Sequence, residues 1–219
     1  MKKILLTFLG ILLLCGCTNK NMHTYYENTK AGGKIDSYQI DLRIYGNYDG
    51  KTYNESVRID NYKGKQVKVN SVKKDMIVKE NESEYIGNNE AYKINDKYYE
   101  YKDGKYEEVS TLIYSNPNVY LEGLTKAKKV EELNGDTIGD IAYKTYKFRI
   151  SKSDMKSILK DGILKDLNLK SDATAKIWID KNNRVFKVVY YLIEGNDRVE
   201  INASIFRINT ISDMSNAIK

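Results

Sequence analysis

The 219-residue chain has two cysteines, one proline, one histidine and one tryptophan, and each scarcity excludes something. Both cysteines, Cys15 and Cys17, lie at the extreme N-terminus, so the chain beyond them can form no disulfide and must be held by core packing alone. The lone histidine, His23, has no second His and no free Cys to complete a zinc site. Nor is there a Gly-x-Ser-x-Gly turn or a base for nucleophilic catalysis in the patterned region. Glycines sit singly or in turns, so no phosphate-cradling loop exists. Adjacent carboxylates such as Glu107-Glu108 point to opposite faces of a strand and cannot share a substrate. There is no arginine cluster and no nucleic-acid motif. The composition points to no enzyme and calls for no cofactor or metal; Asp180 with Asn182 and Asn183 fits a hairpin turn better than a calcium loop.

Long apolar runs are also scarce. The one present, Ile4 to Leu14, is far shorter than the roughly 20 residues a helix needs to cross a bilayer. Lys2 and Lys3 precede it and Leu14-Cys15-Gly16-Cys17 closes it, the layout of a secretory signal. The closing tetrapeptide resembles a bacterial lipobox. That resemblance implies a signal peptide over residues 1–16, cleavage before Cys17, and a diacylglycerol on Cys17 that holds the protein to the extracytoplasmic face of the cell membrane. The formal charge is +6, of which two units leave with Lys2 and Lys3. The remaining +4 is spread over a Lys- and Glu-rich surface and reads first as a solubilising one.

Residues 17–34 are polar with Gly32-Gly33 near the end, and read as the lipidated cysteine and a flexible tether. From Ile35 to Ile211 the chain reads as one domain, with a polar tail over 212–219. Tyr38, Ile40, Leu42 and Ile44 alternate with polar residues, as do Val57 with Ile59 and Val67 with Val69, which predicts a meander of half-buried antiparallel strands. Short Tyr-rich strands follow to Val109. Asn116-Pro117 predicts a helix carrying Leu124, with Asn116 as cap and Pro117 in the first turn. Asn134-Gly135 predicts a turn before a strand over Ile141 to Ile150. Ser151 or Ser153 then caps a second helix with Met155, Ile158 and Leu159 on one face. Three strands close the domain, Ala173–Asp180, Arg184–Glu194 and Arg198–Ile211, the last with a bulge where Ile205 gives way to Phe206.

This order of elements, with Asn116-Pro117 to Leu124, Tyr143 to Ile150, Lys176-Ile177-Trp178-Ile179-Asp180 and Val185 to Leu192, resembles the LolA/LolB and LppX/LprG superfamily of envelope lipoproteins and carriers. The fold this implies is α+β and mainly β: a curved antiparallel sheet, an open half-barrel, with two helices on its concave side. It also implies an acyl chain or lipidated ligand held between sheet and helices. The implied wall is Tyr38, Ile40, Leu42, Ile44, Val57, Ile59, Val67, Val69, Ile177 and Ile179, facing Leu124, Met155, Ile158 and Leu159. The same alternation also suits a dry core. Two readings therefore stand: an anchored lipid-binding protein, or an anchored sensor or structural module with a filled core that works through its surface.

Overall fold

The computed structural model describes residues 20–76, 84–85, 90–160 and 162–218. The expected signal segment, Cys17 and part of the strands expected at Met76–Lys79 and Glu84–Gly87 lie outside these residues. A helix, α1, spans residues 20–29. Then come β1 (Ser37–Tyr48), β2 (Lys51–Tyr62), β3 (Gln66–Met76), β4 (Glu84–Tyr85), β5 (Glu90–Ile94), β6 (Lys97–Lys102) and β7 (Lys105–Val109). After a crossing segment with α2 (Val119–Glu122) and a 3-10 turn (Gly123–Lys126), the chain forms β8 (Lys128–Ile138), β9 (Ile141–Ile150) and α3 (Lys152–Leu159). β10 (Ala173–Ile179), β11 (Val185–Glu194) and β12 (Asp197–Phe206) complete it.

All the strand pairs are antiparallel. Eleven strands run in the order β7-β6-β5-β3-β2-β1-β12-β11-β10-β9-β8, with β4 added beside the end of β3. The path does not return on itself, so the sheet is an unclosed half-barrel, as the sequence led us to expect. The first and last strands meet in its middle, Ile40 opposite Ile205 and Ile44 opposite Ile201. The two halves thus grow outward to opposite edges, and the chain must cross from β7 to β8. It crosses the concave side, and the crossing segment with α3 supplies the helical layer. Asp49-Gly50, Lys63-Gly64 and Asp103-Gly104 all have positive φ at both residues. Such pairs match the right-handed twist of the strands they join, and they set the hairpin registers.

Four expectations are corrected. Residues 20–34 are not a free tether: Met22, Tyr25 and Thr29 of α1 are buried. Their i, i+3, i+7 spacing makes one narrow apolar stripe in an otherwise polar segment. The Thr29 hydroxyl accepts from the Val185 amide at 2.8 Å, and Asn28 donates to the Asn183 carbonyl at 3.0 Å. The first expected helix is cut to one turn. Its N-cap is Asn118 rather than Asn116, and the Asn118 side chain makes no cap bond because other partners hold it. Asn134-Gly135 is not the turn. The register slips between Leu133 and Asp136, which makes these residues a bulge inside β8, and the hairpin turns at Gly139-Asp140. Finally, β12 pairs with β1 without a slip up to Phe206, so there is no bulge there. The strand ends because Arg207 takes φ +49.

Candidate functional site

The concave face of the half-barrel is the site the sequence pointed to, and the structure gathers the named residues there. Tyr38, Ile40, Leu42 and Ile44 on β1, Val57 and Ile59 on β2, Val67 and Val69 on β3, and Ile177 and Ile179 on β10 belong to one apolar cluster. Leu124 from the 3-10 turn and Met155, Ile158 and Leu159 from α3 complete it. None of these fourteen is more than 5 % exposed. The period of two puts the strand residues on one face, and the helices cover it with their own apolar stripes.

Sequence reading missed several members of this cluster. Tyr25 comes from α1, Tyr114 and Leu121 from the crossing segment, Leu164 from the loop after α3, and Phe148 and Tyr190 from β9 and β11. Phe148 and Tyr190 follow the strand alternation and could have been found by it. Tyr114 and Leu164 sit in irregular chain, where no period marks them.

The buried tyrosines bring polar atoms into this interior, and each phenol described below has a partner. The Tyr38 hydroxyl donates to Asn118 Oδ1 at 2.6 Å, an oxygen that also accepts from Asn61 Nδ2 and the Ala31 amide, both at 3.3 Å. Tyr190 donates to the Tyr120 carbonyl and Tyr114 to Glu55. Burial pushes the phenols of Tyr38, Tyr190 and Tyr114 well above the ordinary tyrosine range, so all three stay neutral donors. A Cβ on Gly123 would lie 2.4 Å from the Tyr190 hydroxyl, which shows how closely the crossing segment is seated on β11.

At the rim where the β1–β2 turn meets the loop after α3, a cleft of about 210 Å³ opens. Tyr53, Ile163 and Leu167 form its apolar side, and Asp49, Lys51, Asp166 and Asn168 its polar side. This is below the 300–1,000 Å³ typical of pockets that enclose a small organic ligand. It is polar at the mouth and apolar towards the cluster beneath. Among the described residues no group of three His, Cys, Asp or Glu side chains is placed to hold a metal ion.

No family model matches the chain, and no curated protein matches it in sequence. Solved structures do. LprF from Mycobacterium bovis superposes with a TM-score of 0.60 over 92 % of this chain and 97 % of its own, at 12 % identity. The Mycobacterium tuberculosis lipoprotein LppX gives 0.58 over 90 % and 98 %, at 14 % identity. The chain has the LppX/LprF-like fold. At such identities the likeness is one of architecture. The LppX-like half-barrel explains why a polar, Lys-rich chain with no disulfide carries so much inward-facing apolar surface: a sheet of this curvature has a concave side that only a helical layer can cover.

On the convex side, β11 is apolar as well. Val189 packs there with Tyr143 and Trp178, flanked by Phe186 and Tyr191. The Trp178 indole donates to Asp136 Oδ2 at 2.9 Å, while the Lys176 and Lys187 ammonium groups stand 4.5 and 5.0 Å from its ring centre. The bulge in β8 is what brings Asp136 to this position.

Proposed function

We propose that this protein is a non-catalytic envelope lipoprotein, anchored through a diacylglyceryl Cys17, whose half-barrel takes an acyl chain or a lipidated ligand between sheet and helical layer. One observation carries the reading: among the described residues, the apolar concave face is covered by α1, a four-residue helix, a 3-10 turn, an eight-residue helix and an irregular loop, all short pieces. Helices this short have little stability of their own and hold through packing. Lifting them exposes a continuous apolar floor without breaking any strand pair. The rim cleft beside Tyr53, Ile163 and Leu167 is the point of entry, and the residues from Tyr38 to Ile179 named above are the wall. The cleft is too small for a long chain, so uptake requires the helical layer to move.

A second reading keeps the interior permanently filled and assigns the work to the surface. What favours it is the set of buried phenols, Tyr38, Tyr114 and Tyr190, each already satisfied by a polar partner inside.

The two readings separate in one experiment. The chain from Thr18 onward, purified from a bacterial host, is analysed by native mass spectrometry and by solvent extraction, then titrated with a fluorescent fatty acid. The first reading expects a co-purifying lipid or saturable uptake. A clean unliganded mass with no uptake would leave the surface module standing.

A further inference from the structure

Helix α1 starts at Lys20, three residues after Cys17, so chain length alone keeps the lipid-bearing residue within about 11 Å of the start of α1. Where α1 sits therefore decides which part of the protein meets the membrane. Its C-terminal part lies at one end of the half-barrel, and Tyr25 reaches from there to the middle of β9. The Tyr25 hydroxyl meets that of Tyr146 on β9, Asn28 and Thr29 meet the turn between β10 and β11, and Gly32 lies against the Lys63 carbonyl in the β2–β3 turn. Traced from Gly32 back to Tyr25, the chain passes from the β2–β3 and β10–β11 turns towards β9.

That side carries an unusual surface. The β8–β9 hairpin tip shows Ile138 at 39 % and Ile141 at 58 % exposure, facing each other across the Gly139-Asp140 turn. On the same convex face Tyr143 stacks on Phe186 at 4.6 Å, and Phe186 meets Phe206 edge-on at 5.7 Å. Phe206 is itself 38 % exposed. The result is an apolar stripe across β8, β9, β11 and β12, all at the end where α1 docks. Lys181 and Arg207, both exposed, stand in the turn and strand end beside it, with Asp140 as the one acidic residue of the hairpin turn. Of the other exposed apolar side chains, Tyr45 and Ile193 lie near the opposite end, beside Arg198, Glu200 and Glu194, and form no such stripe.

We propose that the α1 end of the half-barrel rests on the bilayer, with Ile138, Ile141, Phe186 and Phe206 seated among the headgroups and Lys181 and Arg207 against lipid phosphates. The inference rests on the lipidation of Cys17. Apolar side chains backed by cations are the chemistry of an interfacial contact, and the two isoleucines add a second attachment to the lipid anchor. Strands of ten residues or so hold the opposite end about 35 Å away. The rim cleft at Tyr53 and Leu167 is at that far end, so it opens away from the membrane that holds the protein.

The test uses the full-length lipoprotein reconstituted into vesicles of phosphatidylethanolamine and phosphatidylglycerol. With Cys15 removed and Cys17 lipidated, a cysteine introduced at Thr137→Cys or Asn196→Cys is the sole free thiol and accepts an environment-sensitive fluorophore. Quenching by doxyl-labelled lipid is expected to be at least ~threefold stronger at 137 than at 196, given an insertion depth of roughly 5–10 Å. Adding Ile138→Asp and Ile141→Asp should abolish that difference while fatty-acid labelling of Cys17 persists. Equal quenching at both sites in a labelled protein overturns the orientation and leaves the stripe to a protein partner. Loss of the label in the unsubstituted protein instead overturns the anchor, and the orientation with it.

Discussion

Asn118 shows how one side chain can override local preference. A helix start would normally take its carboxamide as a cap, yet here Oδ1 serves Tyr38, Asn61 and Ala31 instead. A buried donor left without a partner costs about 1–3 kcal/mol. Three such bonds outweigh one cap of about 1 kcal/mol, which is why the helix begins late and stays short. Asp136 is the convex counterpart. The Trp178 indole and then the Lys176 ammonium hold its carboxyl below the ordinary 3.8. A carboxyl depressed in the folded state contributes its stabilisation fully above 3.8 and loses it as the pH falls from there through the folded value. Because Trp178 is the sole tryptophan, its emission reports the event. We predict a fluorescence transition below pH 3.8 that Asp136→Asn lacks; an emission that stayed flat until the whole protein unfolded would contradict the pairing.

At the scale of elements, what the sequence disclosed and what it hid follow physical lines. Long strands with strict alternation, β1, β2 and β12, were legible because a half-buried sheet imposes a period of two on every residue. The strand residues named from the sequence all fall in the one buried cluster for this reason, while Phe148 and Tyr190 were passed over. Helix α1 was hidden because its buried stripe comprises few residues among Asn, Lys, Thr and Glu, and its burial is decided by what lies opposite. The β8 bulge was hidden by Asn134-Gly135, which suits a turn and a bulge equally well. The helix makes a direct prediction. Met22 is 1 % exposed, so Met22→Ala should lower stability by about 2–5 kcal/mol in denaturant unfolding of the otherwise intact domain. A flexible tether would show almost none of that loss, and such a result would remove α1 from the fold.

Over the whole molecule, the position of the helical layer follows from one topological fact, the passage from edge strand β7 to edge strand β8 across the concave side. The interior is thereby assembled from both halves of the chain. Tyr38 and Ile59 come from one half and Phe148, Ile177 and Tyr190 from the other, with Leu121 and Leu124 between them. The LppX/LprF-like fold was legible in the order of these elements. The loop after α3 was not, because irregular segments leave no period, and that loop forms one wall of the rim cleft.

The pairing of β1 with β12 also sets an order in time. β1 can find β2 as soon as both exist, but its other neighbour lies more than 150 residues downstream, Leu42 against Ala203. Contacts of such separation are slow to close. A chain emerging from N- to C-terminus must therefore carry β1 as an open edge until β12 arrives, and an unpaired edge invites other chains. We expect a chain that stops before Asp197 to collect as insoluble material, whereas one that stops after Thr210 should remain soluble, as sedimentation of the two products would show. Among the described strands, the one made last closes the sheet at its centre.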